Sequence, residues 1–331
     1  MRMESFVPDA QQSRKVFMFE KVNKGYNSVF QHKKLTIDIT VPIENYTLGT
    51  IPSMKDHLER VKMVEQMGFK AIWVRDVPFN VPAFGDVGQM FDPFTYLGFL
   101  AAHTSEIALA TGSIILPLHH PVHVFKSAVT IDQLSGGRLI LGVGSGDRQE
   151  EFPAMQVDFD KRDELFRASY EYIRSAQESF PTLENNLFGN LDGQLDILPK
   201  SAGRKFPILV TGHSRQTIDW IGENADGWMY YPRNWYMQEH NIQQWQEATA
   251  KTPFPIKPFM QPVHIDLMKD PDFEPLHIHL GFKLGVNHLK EYLNKRKEMG
   301  VNHVGINLRF NTRPIEETLE QLAKEVLPDF H

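Results

Sequence analysis

Strand-like and helix-like segments alternate along almost the whole chain, and this alternation limits the fold more than any other feature of the sequence. The first strand-like segment, LTIDITVPI at residues 35–43, is rich in β-branched residues. Apolar residues then recur every three or four positions from Met54 to Met67, where Ser53 can cap a helix and Gly68 can end it. Residues 71–76 (AIWVRD) return to a strand pattern. The expected fold class is α/β, with a parallel sheet whose strands are joined by helices.

The same alternation continues to the C-terminal end of the sequence. Further strands are predicted at residues 107–116, 138–146, 207–212, 226–231, 257–267 and 303–310. Further helices are predicted at residues 93–104, 122–134, 165–180, 214–224, 234–250, 285–299 and 315–326. Residues 181–205 interrupt the alternation with Pro, Asn and Gly, and we expect a small hairpin there.

About eight strand–helix pairs in one chain predict a (β/α)8 TIM barrel, with insertions after strands 4 and 7. Residues 1–34 lie outside the repeat, so we expect an N-terminal extension followed by a single barrel domain at residues 35–331. A doubly wound open sheet is the alternative. No Gly-x-Gly-x-x-Gly motif follows the first strand, as a dinucleotide-binding fold of that class would require, and this favours the barrel.

Composition excludes several classes of partner and chemistry. The formal net charge is -6, which disfavours binding to nucleic acid through clustered basic residues. The absence of Cys excludes disulfides, thiolate metal sites and a cysteine nucleophile, and it is compatible with a reducing compartment. No signal-peptide core is visible at the N-terminus, and no apolar run approaches the ~20 residues that span a membrane. We therefore expect a cytoplasmic protein that does not insert into a membrane.

In a barrel, ligands bind at the carboxyl ends of the strands, so the chemistry is expected in the residues that follow each strand. The residues in such positions are Glu44, Asn45, Asp76, residues 113–118, 144–148, 212–214, 230–233 and 307–309.

Strand four carries three glycines at alternate positions, Gly142, Gly144 and Gly146, which therefore lie on the same face of the strand. One interpretation is that a flat ligand approaches the backbone where a Cβ atom would obstruct it. The other is that small residues are needed for packing inside the barrel. We favour packing at Gly142, which is deep in the strand, and a ligand at Gly144 and Gly146.

The stretch TGHSRQT, residues 211–217, ends strand five and begins a helix. Unpaired amides at a helix start, the hydroxyls of Ser214 and Thr217, and the small Gly212 next to His213 would together suit a phosphate. A plain helix cap by Ser214 is the alternative.

Two further groups of polar residues have more than one interpretation. His119, His120 and His123 could suggest a metal, but adjacent histidines diverge and no carboxylate lies at ligand spacing, so we expect no metal site. Asp147 and Arg148 directly follow strand four. They form either a surface salt bridge or an acid and an anion anchor.

Four stretches resemble the bacterial luciferase-like superfamily of flavin-dependent oxidoreductases. They are GFKAIWVRD, IALATGSIILPLHHPVHV, DQLSGGRLILGVGSGDRQEEFPAMQVDFDKR and TGHSRQTIDWIGENADGWMYYPRN, and they occur in the family's order. The resemblance covers about residues 35 to 325, and the long run from LSGGRLILGVGSG to EFPAMQVDF is its most specific part. It implies a (β/α)8 barrel that holds FMN, or the deazaflavin F420, at its carboxyl face.

The resemblance also implies roles for individual residues at the ends of strands three and four. In the family, strand three ends in a non-prolyl cis peptide against the flavin ring, and the matching pair is Gly112–Ser113 or Ser113–Ile114. Gly144, Ser145 and Gly146 match the residues near the ring. On this interpretation the bare face of strand four admits the planar ring.

Ser214 and Thr217 match the phosphate-binding hydroxyls of the family. With them we take Gly212, His213 and Arg148 as further candidate cofactor-binding residues.

The sequence departs from the family pattern at two positions. Asp76 stands where luciferases and F420-dependent dehydrogenases carry a catalytic His, and Gly144 stands where luciferases carry a Cys, so light emission from an aldehyde is not expected. Asp147 matches a glutamate that protonates substrate in some F420-dependent members. The candidate catalytic residues are therefore Asp147 and Asp76.

The resemblance implies a monooxygenase that uses reduced FMN and O2 on a small organic substrate, served by a separate flavin reductase and assembled as a homodimer. The alternatives are hydride transfer with F420 and a flavin-binding protein without turnover. An unrelated metal hydrolase on the same barrel would instead bind zinc.

Overall fold

The computed structural model describes residues 18–46, 50–85, 88 and 90–331. Its centre is a ring of eight parallel strands: β1 (Thr36–Thr40), β2 (Ala71–Val74), β3 (Ala108–Thr111), β4 (Leu139–Gly144), β5 (Ile208–Thr211), β6 (Gly227–Met229), β7 (Phe259–Leu267) and β8 (His303–Asn307). Each strand pairs with the next, and β8 pairs with β1, so the sheet closes. This closure confirms the predicted TIM barrel and excludes the doubly wound open sheet.

Helices precede, connect and follow the strands, and those that connect strands cover the outside of the barrel. They are α1 (Lys24–Val29), α2 (His57–Gln66), α3 (Pro93–His103), α4 (Pro121–Leu134), α5 (Glu151–Ala154), α6 (Arg162–Ser175), α7 (Ile218–Asn224), α8 (Trp235–Ala250), α9 (Val286–Met299), α10 (Ile315–Gln321) and α11 (Leu327–Phe330), with a π-helical turn at Leu322–Val326 before α11. None of the helices in the described ranges is long and apolar enough to cross a membrane.

The predicted start of α2 is wrong. We expected Ser53 to cap this helix, but α2 begins at His57 after Asp56. Ser53 instead donates its amide and its hydroxyl to the carboxylate of Glu44, at 2.5 and 2.8 Å. Because both Ser53 donors bond to the Glu44 carboxylate, Ser53 holds the loop after β1 instead of capping α2.

Both predicted insertions are present. The segment after β4 contains an antiparallel hairpin of Thr182–Leu183 with Leu191–Asp192, as expected for residues 181–205. The segment after β7 contains a second hairpin, in which Leu276–Ile278 pairs with Gly281–Leu284. The strand Gly281–Leu284 also pairs in parallel with the end of β7, so this insertion extends the sheet at the barrel mouth.

The described part of the N-terminal extension packs against the barrel, while residues 1–17 lie outside the described residues. Tyr26, Val29 and Phe30 belong to one buried cluster with Trp73 and with residues of β3 and β6. The Tyr26 hydroxyl donates to the backbone carbonyl of Asp226 at 2.8 Å. Because α1 closes the lower end of the barrel, access to the interior is from the carboxyl ends of the strands. The division into an extension and a barrel domain at residue 35 stays a prediction.

A buried polar cluster joins this extension to the strands. Trp73 Nε1 and His303 Nε2 both contact the Asp38 carboxyl group, and all three side chains are almost fully buried. His303 Nδ1 lies 2.7 Å from the Thr36 hydroxyl, which donates to the carbonyl of Val29 at 2.6 Å. Burial raises the pKa of Asp38 to about 6, and His303 opposes that rise. The cluster therefore ties β1, β2 and β8 to α1.

The end of β3 lies unusually close to β4. Ala110 pairs with Ile140, but pairing resumes only at Ile114 with Val143, so the chain bulges between them. The Thr111 hydroxyl fills the gap, because it donates to the carbonyl of Gly142 at 2.8 Å and accepts its amide at 2.9 Å. A Cβ atom on Gly142 would lie 2.0 Å from the Thr111 carbonyl oxygen. The preference for a packing role at Gly142 is thus confirmed.

The Gly142→Ala substitution is expected to lower the free energy of unfolding by about 3 kcal/mol or more, because its Cβ meets rigid backbone. The matched control is Gly98→Ala on α3, where a Cβ would meet nothing within 4 Å. Alanine in that helix should raise the free energy of unfolding by about 0.5–1 kcal/mol. Urea unfolding of both variants measures the difference, and equal stabilities would contradict the packing role of Gly142.

Candidate functional site at the barrel mouth

A cavity of about 370 Å³ opens at the carboxyl ends of the strands. The predicted site residues that line it are Asp76, Gly112, Ser113, Gly144, Ser145, Gly146, Asp147, Arg148, Gly212, His213 and Ser214. Thr217 is the one predicted site residue that is not part of its wall. The barrel thus brings together residues that are far apart in the sequence.

A second cavity of about 180 Å³ continues from the first toward the barrel axis. The two share Arg75, Phe84, Gly112, Thr211 and Tyr231, so they form one continuous mouth. The deeper cavity is mainly apolar, and its wall includes Trp73, Met229, Met260 and Pro262. It is more enclosed than the outer cavity, which suits a small organic molecule.

The peptide bond between Gly112 and Ser113 is cis, as the resemblance implied for the end of strand three. Both residues line the mouth, at the bulge that follows β3. The alternative pair, Ser113–Ile114, is not the cis bond.

The glycines after strand four line the mouth, but for a different reason from the one we expected. A Cβ on Gly144 would lie 2.7 Å from Ser113 Oγ, and one on Gly146 would lie 2.8 Å from Ile115 Cγ2 and 3.0 Å from Phe152. Both missing side chains therefore leave room for neighbouring protein atoms. The proposal that the bare face itself admits a flat ring is corrected: the glycines let the loop after β3 pack closely, and this packing shapes the mouth.

The turn after β5 is the part of the mouth that offers open space beside a glycine. A Cβ on Gly212 would meet nothing within 4 Å, and Gly212, Ser214 and Arg215 all have positive φ angles of 58°, 44° and 57°. Successive amides in such a turn form a concave surface that favours anions. The turn is therefore a good place for a phosphate.

The helix that follows this turn begins later than predicted. We expected α7 to start at residue 214, but it starts at Ile218, and Thr217 caps it by accepting the amide of Trp220 at 3.2 Å. The Ser214 hydroxyl donates to the Thr211 carbonyl at 2.8 Å. The plain cap that we assigned to Ser214 as an alternative is thus provided by Thr217. Residues 212–216 form a tight turn before the helix, in which the amide of Gly212 donates to Met229 and that of Gln216 to His213.

A buried glutamine holds the turn in place. Gln216 Oε1 accepts two hydrogen bonds from Arg167, at 2.9 and 2.6 Å. Gln216 Nε2 donates to the carbonyls of Asp163 and Ser214, at 3.1 and 3.3 Å. The turn is thus fixed to α6 before any ligand arrives, which lowers the entropy lost on binding.

Asp76 is buried at the edge of the mouth and already has partners. Its Oδ2 accepts the amide of Ile115 at 3.0 Å and lies 2.7 Å from His119 Nε2. Burial lowers the pKa of His119, but the hydrogen bond and the charge of Asp76 outweigh burial, so the pKa is raised overall. Asp76 therefore anchors the loop after β3 and is poorly placed to act as a free base.

The three histidines of LHHPVH have separate roles. His119 pairs with Asp76, while His120 Nδ1 accepts the amide of Val122 at 3.3 Å at the start of α4. The ring of His123 lies edge-on to that of His120, at 6.0 Å between centroids. In the described part of the chain, no group of three or more metal-ligating side chains is found.

Glu151 is a mouth residue that the sequence analysis missed. It lies at the start of α5 and is only 2% exposed. Burial raises its pKa to about 7, the charges of Asp76 and Asp147 add to that rise, and Arg148 partly opposes it. Its Oε1 has no hydrogen-bond donor among the described residues. This carboxyl group can hold a proton near neutral pH, whereas the predicted acid Asp147 lines the cavity from an exposed position.

The Glu151→Gln substitution tests the environment of this carboxyl group. Because the pKa is raised in the folded state, the wild-type protein loses stability as pH rises from about 4.5 to about 7, by up to about 3 kcal/mol. Gln carries no charge, so the variant should match wild type at about pH 5 and melt at a higher temperature at about pH 8.5. Glu150→Gln, at the exposed neighbouring position, should show no such crossover. A constant offset between Glu151→Gln and wild type across this range would contradict the raised pKa.

Comparison with known proteins shows which family this chain belongs to. A model of the luciferase-like monooxygenase family matches residues 35–263. A protein of uncharacterised function from Mycobacterium tuberculosis (strain ATCC 25618 / H37Rv) is 30% identical over 189 residues, which are 52% of this chain and 66% of that protein. The alkanal monooxygenase beta chain of Photorhabdus luminescens is 28% identical over 168 residues, which are 50% of each chain. The matches to these curated relatives thus span between half and two thirds of their length.

Solved structures share the fold at low sequence identity. A monooxygenase from Streptomyces bottropensis superposes with a TM-score of 0.74 at 17% identity, over 89% of this chain and 99% of that one. An F420-dependent secondary alcohol dehydrogenase superposes with a TM-score of 0.73 at 17% identity, over 89% of this chain and 98% of that one. The resemblance seen in the sequence is confirmed, and the chain belongs to the luciferase-like monooxygenase family of enzymes.

Proposed function

We propose that this protein is a flavin-dependent monooxygenase that uses reduced FMN and O2 to oxygenate a small organic substrate. The observation that carries the proposal is the mouth itself, where an open turn of positive φ angles, a cis peptide and a deeper, mainly apolar cavity lie side by side. Family membership supports an oxidoreductase. FMN and the class of substrate are our inference.

The phosphate of FMN would be held by the turn after β5. Gly212 leaves room for its approach, and His213 and Ser214 line the same wall, where their amides would donate to the phosphate. Arg148 and Arg233 add positive charge to this cavity. Arg148 is 7% exposed, and its guanidinium group lies 4.3 Å from the centroid of the Phe84 ring, which fixes its position. Thr217 stays a candidate phosphate ligand because its hydroxyl proton is not used by the helix cap.

The flavin ring would lie against the cis peptide of Gly112–Ser113 and the backbone of Gly144, Ser145 and Gly146, with its reacting face toward the deeper cavity. Bound reduced flavin supplies the electrons and the reaction with O2. The protein's own part is to hold the substrate among Trp73, Met229 and Met260 and to exclude water from it.

Glu151 is our leading candidate for proton transfer at this site. Its carboxyl group can carry a proton near neutral pH, since its pKa is about 7 and the residue lines the mouth. Asp147 remains the second candidate, and Asp76 acts as a positioning residue for the loop after β3. The roles of both aspartates are proposals.

Hydride transfer with F420 is the second candidate function. It is favoured by the shared fold with an F420-dependent secondary alcohol dehydrogenase, and the basic residues Arg75, Arg148 and Arg233 at the mouth would also suit an anionic deazaflavin. Anaerobic loading with FMN or F420, reduction, and mixing with aerated buffer separate the two. The monooxygenase proposal predicts that bound reduced FMN is reoxidised with consumption of O2. Selective binding of F420, with no consumption of O2, would contradict it.

Other parts of the proposal concern the surroundings of the enzyme. We propose that a separate flavin reductase delivers the reduced cofactor, that the protein forms a homodimer, and that it works in the cytoplasm. Flavin binding without turnover remains the outcome expected if reduced FMN is held but O2 uptake does not exceed that of free flavin.

The Ser214→Ala substitution tests the phosphate position. It should weaken FMN binding by about tenfold, because in the complex the Ser214 hydroxyl would turn from the Thr211 carbonyl to donate to the charged phosphate, and it should leave riboflavin binding unchanged. Calorimetric titration of the cofactor-free protein measures both affinities. Ser127→Ala, on α4 and outside this cavity, is the control for a lost hydroxyl. Unchanged FMN affinity in Ser214→Ala would contradict this assignment.

A further inference from the structure

The outer wall of the deeper cavity is formed by loops rather than by barrel strands. Phe84, Tyr231 and Leu280 line this cavity, and they lie in the segments that follow β2, β6 and β7. All three side chains are also in contact with solvent, as expected for a wall that separates a cavity from the surroundings. Phe84 and Tyr231 line the outer cavity as well, so their rings stand where the two cavities meet.

Phe84 belongs to a tight turn at residues 81–85, which we call the strap. The Phe84 amide donates to the carbonyl of Val81 at 2.9 Å, and the Gly85 amide donates to that of Pro82 at 3.1 Å. Gly85 ends the turn with a φ angle of 70°, which favours glycine. Val81 is buried and anchors the start of the turn. The strap therefore has a defined shape that fixes the position of Phe84.

Side chains from two opposite sides of the barrel hold the strap. Arg309, just after β8, donates from Nη2 to the carbonyl of Gly85 at 2.6 Å. Arg148, which follows β4, has its guanidinium group 4.3 Å from the centroid of the Phe84 ring. In a closed ring of eight strands, β4 and β8 face each other across the barrel axis. The strap is thus held from both sides of the mouth.

Both arginines that hold the strap are themselves fixed by packing. Arg309 is only 3% exposed, and its Cζ lies 4.6 Å from the centroid of the Tyr46 ring and 5.2 Å from that of Phe310. Arg148 is also buried. Contacts of a guanidinium group with aromatic rings restrict the orientation of its planar head. The outer wall formed by Phe84 is therefore a firm boundary, and it limits the size of the molecule behind it.

The space between the strap and the base of the deeper cavity is small. The base is formed by Trp73, Met229 and Met260, and Trp73 Nε1 donates to the buried carboxyl group of Asp38. The cavity has a volume of about 180 Å³. An apolar cavity of about 150 Å³ holds one benzene ring. The deeper cavity therefore fits a single ring, and a second fused ring would meet either the base or Phe84.

We propose that the substrate is a mainly apolar molecule with a single ring, and that Phe84 is the specificity-determining residue that sets this limit. The proposal rests on the proposed function in one respect, because it takes the molecule in the deeper cavity to be the substrate. Since Phe84 lines both cavities, removal of its ring would join them and give a larger substrate room to extend outward.

Calorimetric titration with benzyl alcohol tests the size limit. The larger probe is naphthalene-2-methanol, which carries the same hydroxymethyl group on two fused rings. Its affinity is measured by displacement of benzyl alcohol, so that binding elsewhere on the protein is not counted. Benzyl alcohol should bind at one site per chain, and the larger probe should bind there more weakly by about tenfold or more, because it overfills the cavity. Equal or tighter binding of the larger probe would overturn the proposal.

Two matched variants locate the limit. Phe84→Ala should shift the ratio of the two affinities by about tenfold toward the larger probe, because the second ring gains room. Phe79→Ala removes an exposed ring of the same loop that lines neither cavity, and it should leave the ratio unchanged. If Phe84→Ala alters the fold, Phe84→Leu replaces it and should shift the ratio in the same direction. An unchanged ratio in the folded Phe84 variant would overturn the proposal.

The titrations contain no cofactor, so their outcome does not depend on whether the mouth binds FMN. If the proposed function is wrong, reduced FMN on the protein consumes no O2, while the preference for a single ring persists in the titrations. If the size limit is wrong, the preference is absent, while the reaction of bound reduced FMN with O2 is unaffected.

Discussion

The contact between Thr111 and Gly142 is the constraint on which the rest of this structure depends. The bulge after β3 interrupts the parallel ladder, and the Thr111 hydroxyl replaces the missing bonds by pairing with both the amide and the carbonyl of Gly142. Only glycine fits there, because any Cβ would collide with the Thr111 carbonyl. The bulge in turn places Gly112 and Ser113 at the mouth. One close approach therefore both completes the barrel and shapes its site.

The two ends of the barrel are built for different purposes. The lower end is filled by α1 and by the buried cluster of Asp38, Trp73 and His303, and a buried set of paired polar groups of this kind contributes to a defined packing arrangement. The upper end keeps its cavities, its positive φ turn and a carboxyl group of raised pKa, which are features of binding and proton transfer. The remainder of the barrel is well packed, and the stability of this packing compensates for the unfavourable free energy of burying such groups.

Much of the fold and of the candidate site could be predicted from the sequence, and the features that could not be predicted have physical causes. The period of the apolar residues predicts every barrel strand, and the position after each strand predicts that Gly112, Arg148 and Gly212 share one mouth. The role of Gly144 and Gly146 could not be predicted, because it depends on Ser113 and Ile115, which reach them across the β3–β4 junction. Glu151 was missed because its pKa results from burial in the folded chain, and a Glu in the run QEEF looks like any solvated charge. Thr217 replaced Ser214 as the helix cap because residues 212–216 form a tight turn first.

The most direct test of the account is the crystal structure of the protein with bound FMN. The account predicts that the phosphate contacts the turn of Gly212, His213 and Ser214, and that the ring lies against the Gly112–Ser113 peptide at the carboxyl face of the barrel. A phosphate bound elsewhere, with the turn after β5 left in contact with solvent, would contradict the central claim that this mouth is a flavin site.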